Sequence, residues 1–360
     1  MKKLIAMLLA AVLVLSLAAC GASAPAPTEA PKAEAPAATE APAAPEAPAE
    51  PEAPAVEPVT LNVAYMPHYS SLVEVVTGIE MGYFAEEGIT INLVEFADGP
   101  TIIAAMEAES IDIGYIGSGA HKLCIAGRAK IFAFAHCGNG DAVIGLKSKG
   151  VNSAADLKGK VVGYSAGTSS EAILQKTLAS AGLTMDDITA MEMDASGLVS
   201  AMVSGSLDAC ALWSPSSLLV LEQCGDDAFV IADNLTFADQ SASVSSWIVM
   251  EKYAAENEPI LERYLRALYK AKDYRANPDN ARQISEWIAA KCGLDVETVY
   301  SQRGDAEWLT TAEMIEMINS GKMEALYKSQ QNGFIASGAV EGEVPVANYV
   351  MFDLMKKAAQ

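Results

Sequence analysis

Four clusters of small and hydroxyl-bearing residues each follow a short apolar run and precede a stretch of helical composition. Such clusters bring side-chain hydroxyls together with the free backbone N–H groups of a helix N-terminus, an arrangement that binds small anions. The same residues also serve as ordinary helix caps, and capping is compatible with binding. The clusters are Asp98-Gly99-Pro100-Thr101, Gly117-Ser118-Gly119, Ser165-Ala166-Gly167-Thr168-Ser169-Ser170 and Ser214-Pro215-Ser216-Ser217.

Groups suited to enzyme chemistry are few. The chain has three histidines, His68, His121 and His136, and it contains no nucleophile elbow, zinc-protease helix, phosphate-binding P-loop or dinucleotide fingerprint. His121 and Cys124 have the spacing of half a metal site, but no second pair accompanies them. We therefore predict a binding protein that is not an enzyme and has no cofactor and no metal.

Short β-rich runs alternate with helical stretches in the chain after residue 60. This alternation predicts an α/β fold with parallel-rich sheets, in which ligands bind beyond the carboxyl ends of the strands. Because the four clusters follow such runs, we expect them to lie at that edge. The runs span residues 61–65, 89–94, 111–115, 131–134 and 161–164.

An internal comparison indicates two lobes of similar build. Residues 98–118 and 194–214 align without a gap, and both read as a turn, an amphipathic helix, a buried strand and a second helix N-terminus. We expect the second lobe to begin near residue 143. The identical pairs are Asp98/Asp194, Ala105/Ala201, Met106/Met202, Ser110/Ser206, Asp112/Asp208 and Ser118/Ser214.

Composition and charge exclude some partners. The 360 residues are 51% hydrophobic, which is enough for two globular domains. The chain carries 24 basic and 46 acidic residues, a formal charge of −22. Nucleic acids and anionic membrane surfaces reward clustered Lys and Arg, so neither is an expected partner.

The N-terminus predicts export. Lys2 and Lys3 precede an apolar run over residues 4–17, which has the form of a signal peptide spanning residues 1–19. The sequence Leu17-Ala18-Ala19-Cys20-Gly21 resembles a bacterial lipobox, which makes Cys20 the expected lipid-attachment residue. The alternative is an ordinary signal peptide with a chance cysteine.

Residues 20–58 have the composition of a tether. This segment is rich in Ala and Glu, holds ten of the chain's 16 prolines and has no aromatic residue. Such a sequence favours extended polyproline II over a packed core. We therefore expect it to hold a folded domain, beginning at residue 59, away from a membrane.

Five cysteines remain besides Cys20, and an odd number cannot all pair within the chain. None of them forms a CxxC pair. Cys124 and Cys210 lie in apolar surroundings, which favours buried free thiols over a disulfide framework. The other three are Cys137, Cys224 and Cys292.

Several motifs resemble solute-binding lipoproteins of ABC importers, and the resemblance covers about residues 60–355. The matching branch takes taurine and aliphatic sulfonates, nitrate or bicarbonate, and pyrimidine precursors of thiamine, and the tail from Trp308 to Tyr349 is most similar to the taurine type. The motifs are Leu61-Asn62-Val63-Ala64-Tyr65-Met66-Pro67, Glu80-Met81-Gly82-Tyr83-Phe84-Ala85-Glu86-Glu87-Gly88-Ile89, Phe96-Ala97-Asp98-Gly99-Pro100, Ile111-Asp112-Ile113-Gly114, Ala155-Asp156-Leu157-Lys158-Gly159-Lys160 and Leu207-Asp208-Ala209.

The resemblance implies a two-lobed periplasmic-binding-protein fold of type II, with a ligand cleft between the lobes. Lobe I is then expected at residues 59–142 and 243–360, and lobe II at residues 143–242. It also implies closure of the lobes on the ligand, about crossing strands near residues 139–146 and 241–248.

The resemblance further implies which residues face the cleft. His68 is the one histidine expected near the ligand, with a solvated loop position as the alternative. Trp213 lies either over an alkyl chain or in the core, whereas Trp247 is expected in the core. The expected ligand-binding residues are His68, Tyr69, Gly99, Pro100, Ser118, Gly119, Asn139, Asp141, Thr168, Ser169, Ser170, Trp213, Ser214 and Ser245.

One position departs from the taurine-binding pattern. Two residues before Trp247, taurine binders have an Asp that pairs with the ligand's ammonium, and this chain has Ser245. Burying an unpaired ammonium is costly, so the change disfavours taurine unless Asp141, Glu171 or Asp239 substitutes. A sulfonate or related small anion is therefore expected, held by Ser118, Gly119, Thr168, Ser169 and Ser170.

These expectations describe an extracytoplasmic, lipid-anchored, monomeric protein that delivers a small anionic solute, an aliphatic sulfonate or taurine, to the membrane subunits of an ABC permease. The alternatives are a binder of nitrate, bicarbonate or a pyrimidine precursor, and an ectodomain that presents its ligand to a sensor. A pyrimidine-synthase-like enzyme is disfavoured because the chain lacks the cysteine-rich loop of those enzymes.

Overall fold

The computed structural model describes residues 57–360. The predicted signal peptide, Cys20 and nearly all of the predicted tether lie outside the described residues. Within residues 57–360 no helix is long and apolar enough to cross a bilayer.

The described residues form two sheets surrounded by helices. The strands are β1 (Val59–Tyr65), β2 (Ile89–Glu95), β3 (Ile113–Ile116), β4 (Lys130–Gly138), β5 (Ala142–Leu146), β6 (Val161–Tyr164), β7 (Thr189–Glu192), β8 (Ala209–Leu212), β9 (Ala228–Asp233), β10 (Val244–Val249) and β11 (Ala306–Glu307). The α-helices are α1 (Tyr69–Glu80), α2 (Tyr83–Glu86), α3 (Gly99–Glu107), α4 (His121–Ile125), α5 (Ser169–Ser180), α6 (Ala195–Val203), α7 (Ser216–Cys224), α8 (Glu251–Ala276), α9 (Ala281–Cys292), α10 (Val296–Ser301), α11 (Thr311–Asn319), α12 (Lys322–Ala336) and α13 (Phe352–Lys357).

Each sheet mixes parallel and antiparallel strands. The six-stranded sheet has the order β11-β4-β10-β3-β1-β2 and the five-stranded sheet the order β7-β6-β8-β5-β9. The expected parallel pairing holds for β1 with β2 and β3, and for β6 with β7 and β8. Strands β10 and β5, by which the chain enters one sheet from the other, run antiparallel to both of their neighbours.

The chain passes between the sheets twice. It leaves the six-stranded sheet after β4 and enters the five-stranded sheet at β5, and it returns between β9 and β10. The crossing segments are therefore residues 139–141 and 234–243. We call the part around the six-stranded sheet the first lobe and the part around the five-stranded sheet the second lobe.

The two repeated segments perform the same structural tasks. Asp98 caps α3 by accepting a hydrogen bond from Thr101 N at 2.8 Å, and Asp194 caps α6 by accepting one from Gly197 N at 2.7 Å. The Asp112 carboxylate accepts a backbone N–H from β1, and the Asp208 carboxylate accepts one at the start of β6. The similar build expected from the alignment is confirmed.

Each lobe has its own core. The first lobe packs a large aromatic core that includes Trp247, which is 1% exposed, as predicted from the sequence. This core also encloses an ion pair between Lys272 and Glu74, which are 0% and 3% exposed. The second lobe packs smaller apolar clusters on the two faces of its sheet.

The five cysteines of the described residues are free thiols. Cys124 and Cys210 are buried, as their apolar neighbours predicted. Burial raises the pKa of the Cys124 thiol to about 12, so this thiol is protonated and unreactive at neutral pH.

Candidate functional site

A cavity with about 610 Å³ of empty space, its open mouth included, lies where strand ends of both sheets meet the first crossing segment. The strands β1, β2, β3, β6 and β8 all direct their carboxyl ends to it, which is the ligand site expected for open α/β sheets. Its lining residues are Met66, His68, Ser70, Asp98, Gly99, Pro100, Tyr115, Gly117, Ser118, Ala120, His136, Gly138, Gly140, Asp141, Thr168, Ser169, Trp213, Ser214, Ser243, Ser245 and Asp305.

Most residues singled out from the sequence lie in this cavity wall. They come from both lobes and from the crossing segment, so only the fold brings them together. These residues are His68, Gly99, Pro100, Ser118, Asp141, Thr168, Ser169, Trp213, Ser214 and Ser245.

Two of the expected residues support the wall instead of lining it. Tyr69 packs edge-on against Trp308, with ring centroids 5.7 Å apart, and its backbone N–H donates to the Gln302 side chain. Asn139 uses its backbone N–H to bind the carbonyl of Asp305 at 2.6 Å. Both residues were expected to face the ligand, and packing and backbone pairing place them behind the cavity.

Two more expected residues are taken up by the contact between the lobes and by helix capping. A Cβ at Gly119 would lie 2.0 Å from the Thr168 carbonyl carbon, so the backbones of the two lobes touch here. Ser170 is fully buried, and its hydroxyl donates to Ala211 O at 2.7 Å. Gly119 thus forms a contact between the lobes and Ser170 a hydrogen bond within the second lobe, and their contacts with a ligand stay a prediction.

Hydroxyls at helix N-termini form one end of the cavity. Thr168 caps α5, since its hydroxyl oxygen accepts from Ser170 N at 3.2 Å. Ser169 begins the same twelve-residue helix, and its hydroxyl donates to Asp141 at 2.6 Å. On the first lobe the Ser118 hydroxyl accepts a hydrogen bond from Ser243 at 3.0 Å. The positive end of the α5 dipole therefore faces the cavity beside three hydroxyl groups.

Aromatic side chains form the floor. The Tyr115 hydroxyl lies 2.7 Å from Nε2 of His136, and the His68 ring meets the Tyr115 ring edge-on at 5.7 Å. Burial lowers the pKa of His68 to about 4 and that of His136 to about 3. Both imidazoles are therefore neutral at pH 7 and act through hydrogen bonds or ring faces rather than charge.

His136 lines the cavity together with His68, whereas His68 alone of the three histidines was expected near the ligand. His136 stands near the end of β4, in an apolar run that reads as ordinary core. Its place in the cavity wall depends on the pairing of β4 with β10 and β11. His121 is 1% exposed, stacks on Tyr327 and lies outside the wall.

Two carboxylates enter the cavity wall near the first crossing segment. Asp141 is 8% exposed and accepts hydrogen bonds from Ser169 and from the Asn234 side chain at 2.9 Å, so it ties both crossing segments to α5. Asp305 enters from the segment before β11 and was not expected from the sequence. Burial raises the pKa of both carboxyl groups above the usual value.

No Lys or Arg stands among the residues that line this cavity. Lys176 lies in an adjoining cavity, where its ammonium donates to the Ser241 hydroxyl at 2.5 Å. Of the three carboxylates considered as substitutes at Ser245, Asp141 lines the cavity. Glu171 pairs with Lys122 outside it at 3.1 Å, and Asp239 is exposed.

The described residues contain no group of three His, Cys, Asp or Glu side chains that could hold a metal ion. The ring nitrogens of His121 are buried without hydrogen-bond partners, and Cys124 is buried beside the same short helix. This pair therefore belongs to the core.

The two lobes and the cavity between them define a two-lobed binding protein. A family model described as NMT1/THI5 like matches residues 70–281, and the chain belongs to this family. A Brucella abortus relative, named as a binding protein, is 29% identical over 296 residues, which cover 82% of this chain and 91% of the relative. The taurine-binding periplasmic protein of Escherichia coli is 22% identical over 199 residues, covering 54% of this chain and 60% of that protein.

Solved structures share the fold. The alkanesulfonate-binding protein of Xanthomonas axonopodis pv. citri, bound to MOPS, superposes with a TM-score of 0.63 at 22% identity. The match covers 82% of this chain and 99% of that chain. The predicted two-lobed periplasmic-binding-protein fold is therefore confirmed.

Proposed function

We propose that this protein is an extracytoplasmic solute-binding component of an ABC importer and that its cavity takes a small aliphatic sulfonate. The observation that carries the proposal is the cavity itself, to which both lobes contribute hydroxyls beside the N-terminus of α5. The names of the relatives, which bind alkanesulfonates and taurine, support the same class of ligand.

In this proposal the sulfonate oxygens accept hydrogen bonds from the Ser118 hydroxyl on the first lobe and from the backbone N–H groups of Thr168 and Ser169, at the N-terminus of α5, on the second. The dipole of α5 adds favourable interaction with the negative charge, which offsets the lack of a basic side chain in the wall. The aliphatic part of the ligand packs against Tyr115 and Trp213, which present ring surface to the same cavity.

Ligand-dependent closure of the lobes is the proposed mechanism. Lobe I comprises residues 59–142 and 243–360, and lobe II comprises residues 143–242. A ligand that contacts polar groups on both lobes stabilises the closed arrangement by the contacts that the open one lacks. The tight approach of Gly119 to Thr168 supports this mechanism, because it is the kind of contact that only a closed pair of lobes makes. The closed form then docks on the permease.

We place the protein outside the cytoplasm as a monomer, anchored through lipid on Cys20 and held off the membrane by residues 20–58. Fractionation tests the anchor: the wild-type chain is expected in the membrane fraction and a Cys20→Ser variant in the soluble extracytoplasmic fraction. A Cys20→Ser variant that stays in the membrane fraction would contradict the lipid anchor.

A thermal-shift titration of the processed chain carrying Cys20→Ser tests the ligand class. We expect alkanesulfonates to raise the melting temperature, and a ligand at a hundred times its Kd adds about 2.7 kcal/mol of stability. Nitrate and bicarbonate serve as the competing anions. A shift with nitrate or bicarbonate and none with any sulfonate would refute the assignment. Recovery of the ligand unchanged, measured by mass spectrometry, distinguishes binding from catalysis.

A further inference from the structure

We propose that Asp305 makes the cavity select ligands that carry a protonated nitrogen, so that the preferred sulfonate is an aminosulfonate. This inference rests on the proposed function for the sulfonate end of the ligand. The charges of the cavity wall, and not the sulfonate contacts, indicate the ammonium group at the other end of the ligand.

The cavity lacks the positive charge that a purely anionic ligand would need. Asp98, Asp141 and Asp305 contribute carboxylates to its wall, and no Lys or Arg lines it. Burial keeps His68 and His136 neutral at pH 7. A ligand whose only charge is negative therefore meets like charge here, whereas a zwitterion places a positive group against the carboxylates.

Asp305 is the carboxylate of the wall that has no structural role of its own. Asp98 caps α3 by accepting from Thr101 N. One oxygen of Asp141 accepts from Ser169 and the other from Asn234, so this carboxylate is already occupied in bracing the crossing segments. Asp305 has no ion pair with any residue of 57–360, and the side chain next to it, Ser214, is neutral. A carboxylate held in a half-buried position without a cation is stabilised when an ammonium group binds to it.

The position of Asp305 also suits a ligand that bridges the lobes. A Cβ on Gly140 would lie 3.2 Å from the Cβ of Asp305 and 3.2 Å from the Cβ of Ser214. Asp305 precedes a strand of the first lobe, Ser214 follows a strand of the second, and Gly140 belongs to the crossing segment. An ammonium at Asp305 therefore sits where the two lobes join and favours their closure.

The test compares matched ligands that differ only in the amine, taurine against ethanesulfonate and 3-aminopropanesulfonate against propanesulfonate. Isothermal titration calorimetry of the wild-type protein is expected to show at least tenfold tighter binding of each aminosulfonate. Asp305→Asn, which keeps the shape and removes the charge, is expected to weaken binding of the aminosulfonates and to strengthen binding of the plain sulfonates, so that the preference falls to about one. Glu307→Gln, an exposed carboxylate on β11, is the matched control and should keep the wild-type preference.

Two results would overturn the inference: a wild-type protein that binds the plain sulfonates as tightly as the aminosulfonates, or an Asp305→Asn variant that retains the amine preference. A circular-dichroism melt of each variant confirms that it is folded. If no sulfonate binds, the proposed function fails and an aminopyrimidine becomes the deciding ligand. Binding of the aminopyrimidine that Asp305→Asn abolishes then supports the role of Asp305, and binding that survives the substitution, or no binding at all, rejects it.

Discussion

Replacing Gly119 by alanine adds one methyl group at the point where the two lobes touch. The added Cβ would lie 2.0 Å from the carbonyl carbon of Thr168, 2.2 Å from its oxygen and 2.4 Å from Ser169 N. Carbon atoms in contact stand about 3.5 Å apart, so the two segments have to separate by about 1.5 Å. The backbone of Gly119 lies outside the left-handed region, so alanine itself fits the local conformation.

The separation weakens ligand binding by an amount that follows from hydrogen-bond geometry. A hydrogen bond of about 2.8 Å to the second lobe becomes a gap of about 4.3 Å, which is no longer a hydrogen bond. If Thr168 and Ser169 each donate one bond to a charged sulfonate, at about 1.5 kcal/mol each, the variant loses about 3 kcal/mol. We therefore expect Gly119→Ala to weaken binding about 100-fold.

Calorimetry measures this affinity, and small-angle scattering with and without ligand measures closure. The control is Gly342→Ala, because a Cβ there meets nothing within 4 Å, its φ lies outside the left-handed region and Gly342 does not line the cavity. The control is expected to bind and contract like the wild type. If Gly119→Ala binds ligand with wild-type affinity and contracts normally, the contact with Thr168 does not belong to the closed state and the closure argument fails.

Three further predictions concern stability and the helix cap. Glu74→Gln leaves Lys272 buried without its counter-charge and is expected to lower the free energy of unfolding, measured with urea, by about 3 kcal/mol. The double change Glu74→Leu and Lys272→Met removes both charges and should lower it far less. Equal losses in the two variants would contradict the prediction. Burial lowers the pKa of His121 to about 3, so its contribution to stability is complete above pH 6.5 and is lost as the pH falls toward 3. Between pH 7 and pH 5 the free energy of unfolding should therefore fall by about 2 kcal/mol less in His121→Leu than in the wild type. Parallel curves of unfolding free energy against pH for the two proteins would refute this. Thr168→Val removes the cap of α5, which orients the N–H groups proposed to bind the sulfonate, and should cost about 1 kcal/mol of stability together with tenfold weaker sulfonate binding. Thr168→Ser keeps the cap and should keep both. A valine variant with wild-type affinity would show that the cap does not position these groups for the ligand.

Local features were open to prediction because short-range rules decide them. The β-rich runs became β1 to β4 and β6, and the aspartates at the start of the two repeated segments became caps of α3 and α6. Asp98 accepts from a backbone N–H three residues away, so sequence spacing alone defines that contact. The clusters of small hydroxyl residues likewise lie at strand ends, because the alternation of strand and helix puts them there.

The tertiary structure decided which of those residues share one cavity and which additional residues join them. Asp305 reaches the cavity because β11 pairs with β4, with Ala306 opposite Gly138, and no local pattern at residue 305 specifies that pairing. His136 faces the cavity for a similar reason, although its neighbours in β4 are core residues. The approach of the second lobe makes Gly119, a residue expected to bind ligand, part of a contact between the lobes.

The difference has one physical origin. Caps, strands and helices depend on groups a few residues apart, whose geometry the backbone restricts before any tertiary contact forms. The charge balance of the cavity depends on side chains from both lobes and the crossing segment. Its carboxylates and its neutral histidines acquire their roles only when long-range strand pairing buries them together.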